Sequence, residues 1–198
     1  QNGLADNTVS AVYKDKEGFV WFGTRNGLSR YDGRRITNFE RSRSYPSISN
    51  LKEVFDGVLA FVDNGVFSAF DLKKERFLSV VSSSGQGIPS RGMLQRNDSL
   101  VWVISGSELH LMKRCASKEG ELRLRVQEKY TGWNNQDNLL VAITYSSDKK
   151  SICLIDEKGR IILLDATNLN SFRVIDLGRI GSLSVNSVLY DDGRIWIS

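Results

Sequence analysis

Apolar and polar residues alternate along most of this chain in short runs, and Gly, Asn or Asp closes most of the runs. The pattern is clearest near the N-terminus, where Val9-Ser10-Ala11-Val12-Tyr13-Lys14-Asp15 is followed by Gly18-Phe19-Val20-Trp21-Phe22-Gly23-Thr24 and then by Asn26-Gly27-Leu28-Ser29-Arg30-Tyr31-Asp32-Gly33. Period-two alternation of β-branched and aromatic residues between Gly/Asn/Asp turns predicts strands joined as hairpins. Long segments at helical period are missing. The two prolines, Pro46 and Pro89, fall between the periodic segments.

The same phrase returns at Val185-Asn186-Ser187-Val188-Leu189-Tyr190-Asp191 and Gly193-Arg194-Ile195-Trp196-Ile197-Ser198. Weaker copies lie at Glu53–Phe61, Asn97–Ile104 and Lys150–Asp156. With Trp21 as marker, the equivalent positions are Ala60, Trp102, Leu154 and Trp196, at steps of 39, 42, 52 and 42 residues. A period of about 40–50 residues with four strands per repeat is the signature of propeller blades. Each copy predicts an inner strand, a second strand centred on the marker, a third ending in Tyr31-Asp32, Phe70-Asp71 or Leu164-Asp165, and an outer strand. The outer strands are expected at Arg35–Phe39, Arg76–Val81, Leu124–Tyr130 and Phe172–Leu177. The predicted fold is therefore all-β: a β-propeller segment of four-stranded antiparallel blades. The blades are expected at 3–42, 43–84, 85–131 and 132–180, with a partial one at 181–198.

Composition narrows the picture only a little. With 40% hydrophobic and 25% charged residues the chain has the make-up of a globular domain. No apolar run reaches the roughly 18 residues of a membrane span, so this segment is expected to make no membrane contact. The net charge of +4 comes from Lys and Arg scattered over all repeats, with no basic helix or RNA-binding aromatic motif, which argues against nucleic acid. Cys115 and Cys153 do not make a disulfide framework and leave the redox compartment open. Cys153, inside an apolar strand, is expected to be a buried thiol; Cys115 falls in a stretch that reads as a loop.

The first repeat resembles the two-component regulator propeller repeat. Asp15–Gly33, preceded by Gly3-Leu4 and Val9, carries the resemblance, and Val185–Ser198 is the next best copy. The resemblance implies part of the periplasmic sensor region of a hybrid two-component system of polysaccharide-consuming gut bacteria. The parent would be anchored in the inner membrane, with its histidine kinase activity outside this segment. It also implies a larger propeller of about seven blades. The four and a half copies here are then expected to form an open arc that self-associates through its edges. A monodisperse monomer with slow hydrogen exchange at both terminal blades would count against that.

Candidate chemistry is sparse. The marker Trp residues are read as filler between blades, and the repeated Gly and Asp as turn formers. His110, the only histidine, lies in an alternating strand with Glu108 and Met112 as partners. No Ser/His/Asp spacing, histidine pair or Cys-x-x-Cys is present, so no catalytic residue, metal or cofactor is expected. Asp156-Glu157 and Asp191-Asp192 are read as solvated turn acids.

Binding is supported by architecture. In a propeller the loops from outer to next inner strand, and from second to third strand, meet on one face. The candidate ligand residues are accordingly Asn7, Arg25, Asn26, Tyr45, Asn50, Asp63, Asn64, Arg91, Trp133, Asn135 and Asp137. Amides, acids and guanidinium groups satisfy sugar hydroxyls, and Tyr45 or Trp133 could cover the apolar face of a sugar. The expected function is extracytoplasmic sensing of a glycan or oligosaccharide. The rivals are a protein-docking scaffold without a small ligand and a propeller enzyme of lyase or lactonase type.

Overall fold

A computed structural model describes residues 3–40, 48–133, 138–177, 188–191 and 193–197. Four antiparallel units follow one another along the chain. The first contains β1 (Val9–Lys14), β2 (Val20–Thr24), β3 (Gly27–Tyr31) and β4 (Ile36–Glu40). The second contains β5 (Ile48–Phe55), β6 (Val58–Asp63), β7 (Val66–Asp71) and β8 (Arg76–Ser82). The third contains β9 (Gly92–Asn97), β10 (Leu100–Ser105), β11 (Glu108–Cys115) and β12 (Glu121–Tyr130). The fourth contains β13 (Leu140–Tyr145), β14 (Ser151–Asp156), β15 (Arg160–Asp165) and β16 (Phe172–Asp176), and β17 (Val188–Asp191) with β18 (Arg194–Ile197) make a two-stranded fifth. This is a propeller fragment, with first strands β1, β5, β9, β13 and β17 side by side around its axis.

The period-two pattern builds the layers between blades. In β6, Leu59 and Phe61 point into the cluster shared with the first blade, while Val58, Ala60 and Val62 point into the cluster shared with the third. In β10, Val101 and Val103 face the second blade, and Trp102 and Ile104 face the fourth. The second strands of the three inner blades, β6, β10 and β14, are thus buried on both faces, as one-residue alternation demands in a stack of sheets. The first layer is aromatic: Trp21, Phe39 and Phe70 lie within 5.7 Å of one another by ring centroids, and Phe77 joins at 5.1 Å from Phe70.

Two markers need correction. In β14, Ile152 and Leu154 face the third blade, while Cys153 and Ile155 face the fifth. Trp21 and Trp102 face the following blade and stand three residues before the end of their strands, so the equivalent residue is Cys153, not Leu154. A one-residue slip moves every side chain to the other face. Trp196 is 60% exposed rather than buried, because Ile195 and Ile197 of the same strand take the packed face.

The second and third blades are one sheet of eight strands. Their outer strands β8 and β12 pair in parallel, with Glu121 opposite Ser79 and Leu124 opposite Ser82. Nothing in the repeat grammar announces this. Ala60, the small residue at the marker position, lies in the layer between these two blades.

Candidate functional site

The structure brings the two predicted sets of loops together on one face. Asn26 Nδ2 donates to the Ala5 carbonyl at 3.3 Å, tying the β2–β3 turn to the segment before β1. In the second blade, Ser90 N donates to the Gly65 carbonyl, and Val66 bridges to Pro89. Asn7, Arg25, Asn26, Asn64 and Arg91 are exposed on this face. Asp63 is buried at the end of β6 and Asn64 takes the left-handed conformation, φ 49°, in the turn that follows. Tyr45, Asn135 and Asp137 lie outside the described residues.

Trp133 is not a platform. It is buried, packed edge-on to Phe172 at 6.3 Å within the layer between the third and fourth blades. A loop position in the sequence gave no hint that the apolar layer continues past β12. Asp156 is likewise no solvated acid: it is fully buried, and Arg160 Nε donates to its Oδ2 at 2.7 Å while the Lys158 and Arg160 amides donate to Oδ1. His110 is mostly buried, with Nε2 2.6 Å from Glu108 Oε2. Cys115 closes β11 rather than lying in a loop, and both thiols are free. Burial pushes the Cys153 thiol up to about 12, which makes it unreactive. Among the described residues no three His, Cys, Asp or Glu side chains come together as a metal set.

Besides a charged depression of about 480 Å³ beside the β7–β8 turn, two concavities stand out among the described residues. One is a groove of about 400 Å³ between the first two blades, on the face opposite the predicted one. Its consensus residues hold each other. The buried Asp15 carboxylate accepts the Trp21 indole N–H at 2.8 Å and the amides of Glu17 and Phe19. Arg30 lies over Phe19, Trp21 and Phe39 and donates to Glu75 at 2.6 Å. Lys16 bridges Glu53 and Asp56, at 3.2 and 2.5 Å, and these contacts raise its pKa.

The other is a cavity of about 340 Å³ on the axis. Its walls are Ser10, Ala11 and Val12 of β1, Asn50, Leu51 and Lys52 of β5, Val141 to Thr144 of β13, and Val188 of β17. Three of these strands are bulged at the cavity wall, between Val9 and Ala11, between Ser49 and Lys52, and between Leu140 and Ala142. A bulge inserts one residue, bends the strand and re-aims a side chain. At the β5 bulge Asn50 has φ 55°, a conformation that asparagine tolerates better than most residues. Gly92 leaves room beside it, since a methyl group there would sit 3.2 Å from Asn50 Nδ2.

Asn50 is the predicted candidate that lines this cavity. Lys52 is the residue the repeat pattern missed, because the second copy was read from Glu53 onward. Lys52 is half-buried in the cavity wall, and burial alone lowers its pKa to about 8. Among the described residues no acid lines the walls, and neither Lys52 nor the Asn50 amide has a hydrogen-bonding or ionic partner. Ser10, by contrast, donates to the Ile48 carbonyl at 2.5 Å. The cavity therefore offers an ammonium and a side-chain amide against apolar walls.

The family described as Two component regulator propeller matches residues 3–26, within the first repeat. No curated protein sequence matches the chain. Among solved structures, the extracellular domain of BT3049 from B. thetaiotaomicron, named a hybrid two component system, is similar with TM-score 0.72 and 18% identity. That similarity covers 97% of this chain and 26% of that one. The extracellular domain of BT4673 from the same organism, named a one component system, gives TM-score 0.69 and 17% identity over 97% of this chain and 28% of that one. A catalytically inactive virginiamycin B lyase from Staphylococcus aureus gives TM-score 0.62 and 11% identity over 96% of this chain and 62% of that one. The chain thus spans little more than a quarter of the two extracellular domains. At these identities the likeness shows the fold, an all-β propeller segment, and the fold alone hosts both sensors and enzymes. No helix among the described residues is long and apolar enough to cross a membrane.

Proposed function

We propose that this chain is a sensing part of the extracytoplasmic region of a hybrid two-component receptor, facing the periplasm and responding to a glycan or oligosaccharide. The observation that carries the reading is the axial cavity, where Asn50 and Lys52 have no partner among the described residues while the consensus residues around Trp21 bond to one another. The type of the first repeat and the extracellular propellers of similar fold support the receptor setting. A cavity whose walls come from four blades gives a ligand a way to act. Its contacts bridge separate sheets, so binding favours one set of blade angles over another. The kinase that reads this out would lie elsewhere in the parent protein.

The test is a melting-temperature screen of the full-length protein against neutral and acidic oligosaccharides. A ligand that binds only the native state raises its stability. A rise with at least one glycan is expected. Silence across the panel would overturn the reading and favour docking. That second reading rests on the edge strand β16, where Phe172, Val174 and Leu177 just beyond it are all about 40% exposed. An exposed apolar strand edge is a ready surface for a second chain.

A further inference from the structure

The axial cavity combines features that together point to the charge of its ligand. Among the described residues Lys52 presents the only ionisable side chain in the lining: β1 supplies Ser10, Ala11 and Val12, β13 supplies Val141 to Thr144, and β17 supplies Val188. On its own strand the neighbouring acid, Glu53, is engaged elsewhere, accepting from the Gly57 amide at 2.9 Å and pairing with Lys16. A cation enclosed without a counter-ion is costly, and a partner that supplies the missing charge recovers that cost. Beside it the Asn50 amide offers two N–H donors and one carbonyl acceptor. At about 340 Å³ the cavity is at the small end of ligand pockets, roughly 300–1,000 Å³. That is room for one sugar ring, not for a chain.

From this juxtaposition we infer that the axial cavity binds one anionic sugar unit, a hexuronate or a sulfated hexose, with its acid group on the Lys52 ammonium and the Asn50 amide. The inference rests on the sensing reading and narrows it to a charge class. Ala11, Val141, Ala142 and Ile143 form the apolar walls against which the C–H face of the ring lies. The acid group replaces the water that otherwise solvates Lys52. Ligand affinity follows the charged fraction of that lysine, and because burial brings its pKa to about 8, the cavity weakens as an anion site just above neutral pH.

The experiment uses the full-length protein with galacturonate, galactose 6-sulfate and galactose as probes. Lysine acetylation is read residue by residue by peptide mass spectrometry. At neutral pH either acid should protect Lys52 by about threefold or more, with Lys16 and Lys73 unchanged, and galactose should not. The responding acid identifies the source of the charge. Calorimetric affinity for it should fall about tenfold between pH 7 and pH 9, as the competent fraction of Lys52 falls. Asn50→Asp keeps a residue that tolerates the left-handed backbone but supplies an internal carboxylate, and should abolish protection. Unchanged Lys52 acetylation with both acids, equal protection by galactose, or protection surviving in Asn50→Asp would each overturn the inference. A neutral oligosaccharide that raises the melting temperature without protecting Lys52 leaves the sensing reading standing and removes this one. Silence in both assays removes both.

Discussion

The bond between Asp15 and Trp21 is a strong internal prediction of the blade design. Trp21 is buried to 1% exposure, and its indole N–H reaches Asp15 Oδ2 at 2.8 Å. Asp15 Oδ1 meanwhile accepts from the Glu17 and Phe19 amides at 3.0 and 2.9 Å. Asp15→Asn retains an oxygen for the two amides but turns an NH2 group toward the indole. That leaves a buried donor unsatisfied, at a cost of about 1–3 kcal/mol. For a chain of this size each kcal/mol moves the melting temperature by roughly 2–4 °C, so a fall of about 2–12 °C is expected. Trp21→Phe removes the donor from the other side. A four-protein cycle of wild type, each single variant and the double variant, followed by urea unfolding, isolates the pair. A hydrogen bond to a charged acceptor should give a coupling of about 1.5–3 kcal/mol. Trp102 provides the control, because its N–H goes to the neutral Tyr145 hydroxyl at 3.1 Å. The same cycle with Tyr145→Phe should give only about 0.5–1.5 kcal/mol. A coupling at Asp15–Trp21 below that of the control would refute the reasoning and assign the first layer to ring packing alone.

Gly23→Ala should destabilise the chain by about 1–3 kcal/mol in urea unfolding, because the new methyl would sit 2.5 Å from Ile48 Cγ2 and 3.3 Å from Ala11 Cβ in a packed layer; a neutral result would mean the second blade shifts freely. Glu108→Gln tests pH dependence. The contacts of Glu108 with His110, at 2.6 Å, and then Lys129, at 3.3 Å, hold its carboxyl below the ordinary 4.5. A depressed carboxylate stabilises the fold above its unfolded pKa and loses that contribution as pH falls through the folded one. Wild type should therefore exceed the variant by no more than about 0.5 kcal/mol at neutral pH, the pair being partly exposed, and the gap should close on acidification below 4.5. A gap of constant size down to pH 3 would show that the charge is not its source.

Blade number, strand order and the layers were legible because alternation and period encode them directly. The Asp15–Trp21 turn, Gly23 and the burial of Cys153 all follow from one-residue alternation in strands packed on both faces. What escaped the sequence is what breaks that alternation. A bulge between Ser49 and Lys52 changes which way the side chains around it point, and no residue type announces it in advance. Lys52 therefore carries no mark in the sequence, since its partial enclosure depends on β1 and β13, which stand far from it along the chain. Trp133 failed in the opposite sense. Its neighbours in the chain are polar, but Trp102, Leu140 and Phe172 come together around it only after the third and fourth blades stack. The candidates on turns, Arg25, Asn26 and Asn64, share a face with the loops before the first strands because turn positions follow from strand ends alone.

The parallel rung between β8 and β12 also sets the mechanics of the arc. Four residue pairs lock the second and third blades into a single beam. The seams on either side of it, between the first and second blades and between the third and fourth, have no strand pairing among the described residues and are held by side-chain layers and single hydrogen bonds, such as Ser10 Oγ to the Ile48 carbonyl and Leu140 N to the Gly106 carbonyl. Packed layers slide by small shear, whereas a hydrogen-bonded ladder must break to move. The axial cavity straddles both compliant seams, with β5 on the beam, β1 on one flank and β13 on the other. If a ligand binds there as proposed, its load would reach the rim as rotation of two flanks about a stiff centre, larger at β4 and β16 than at the axis.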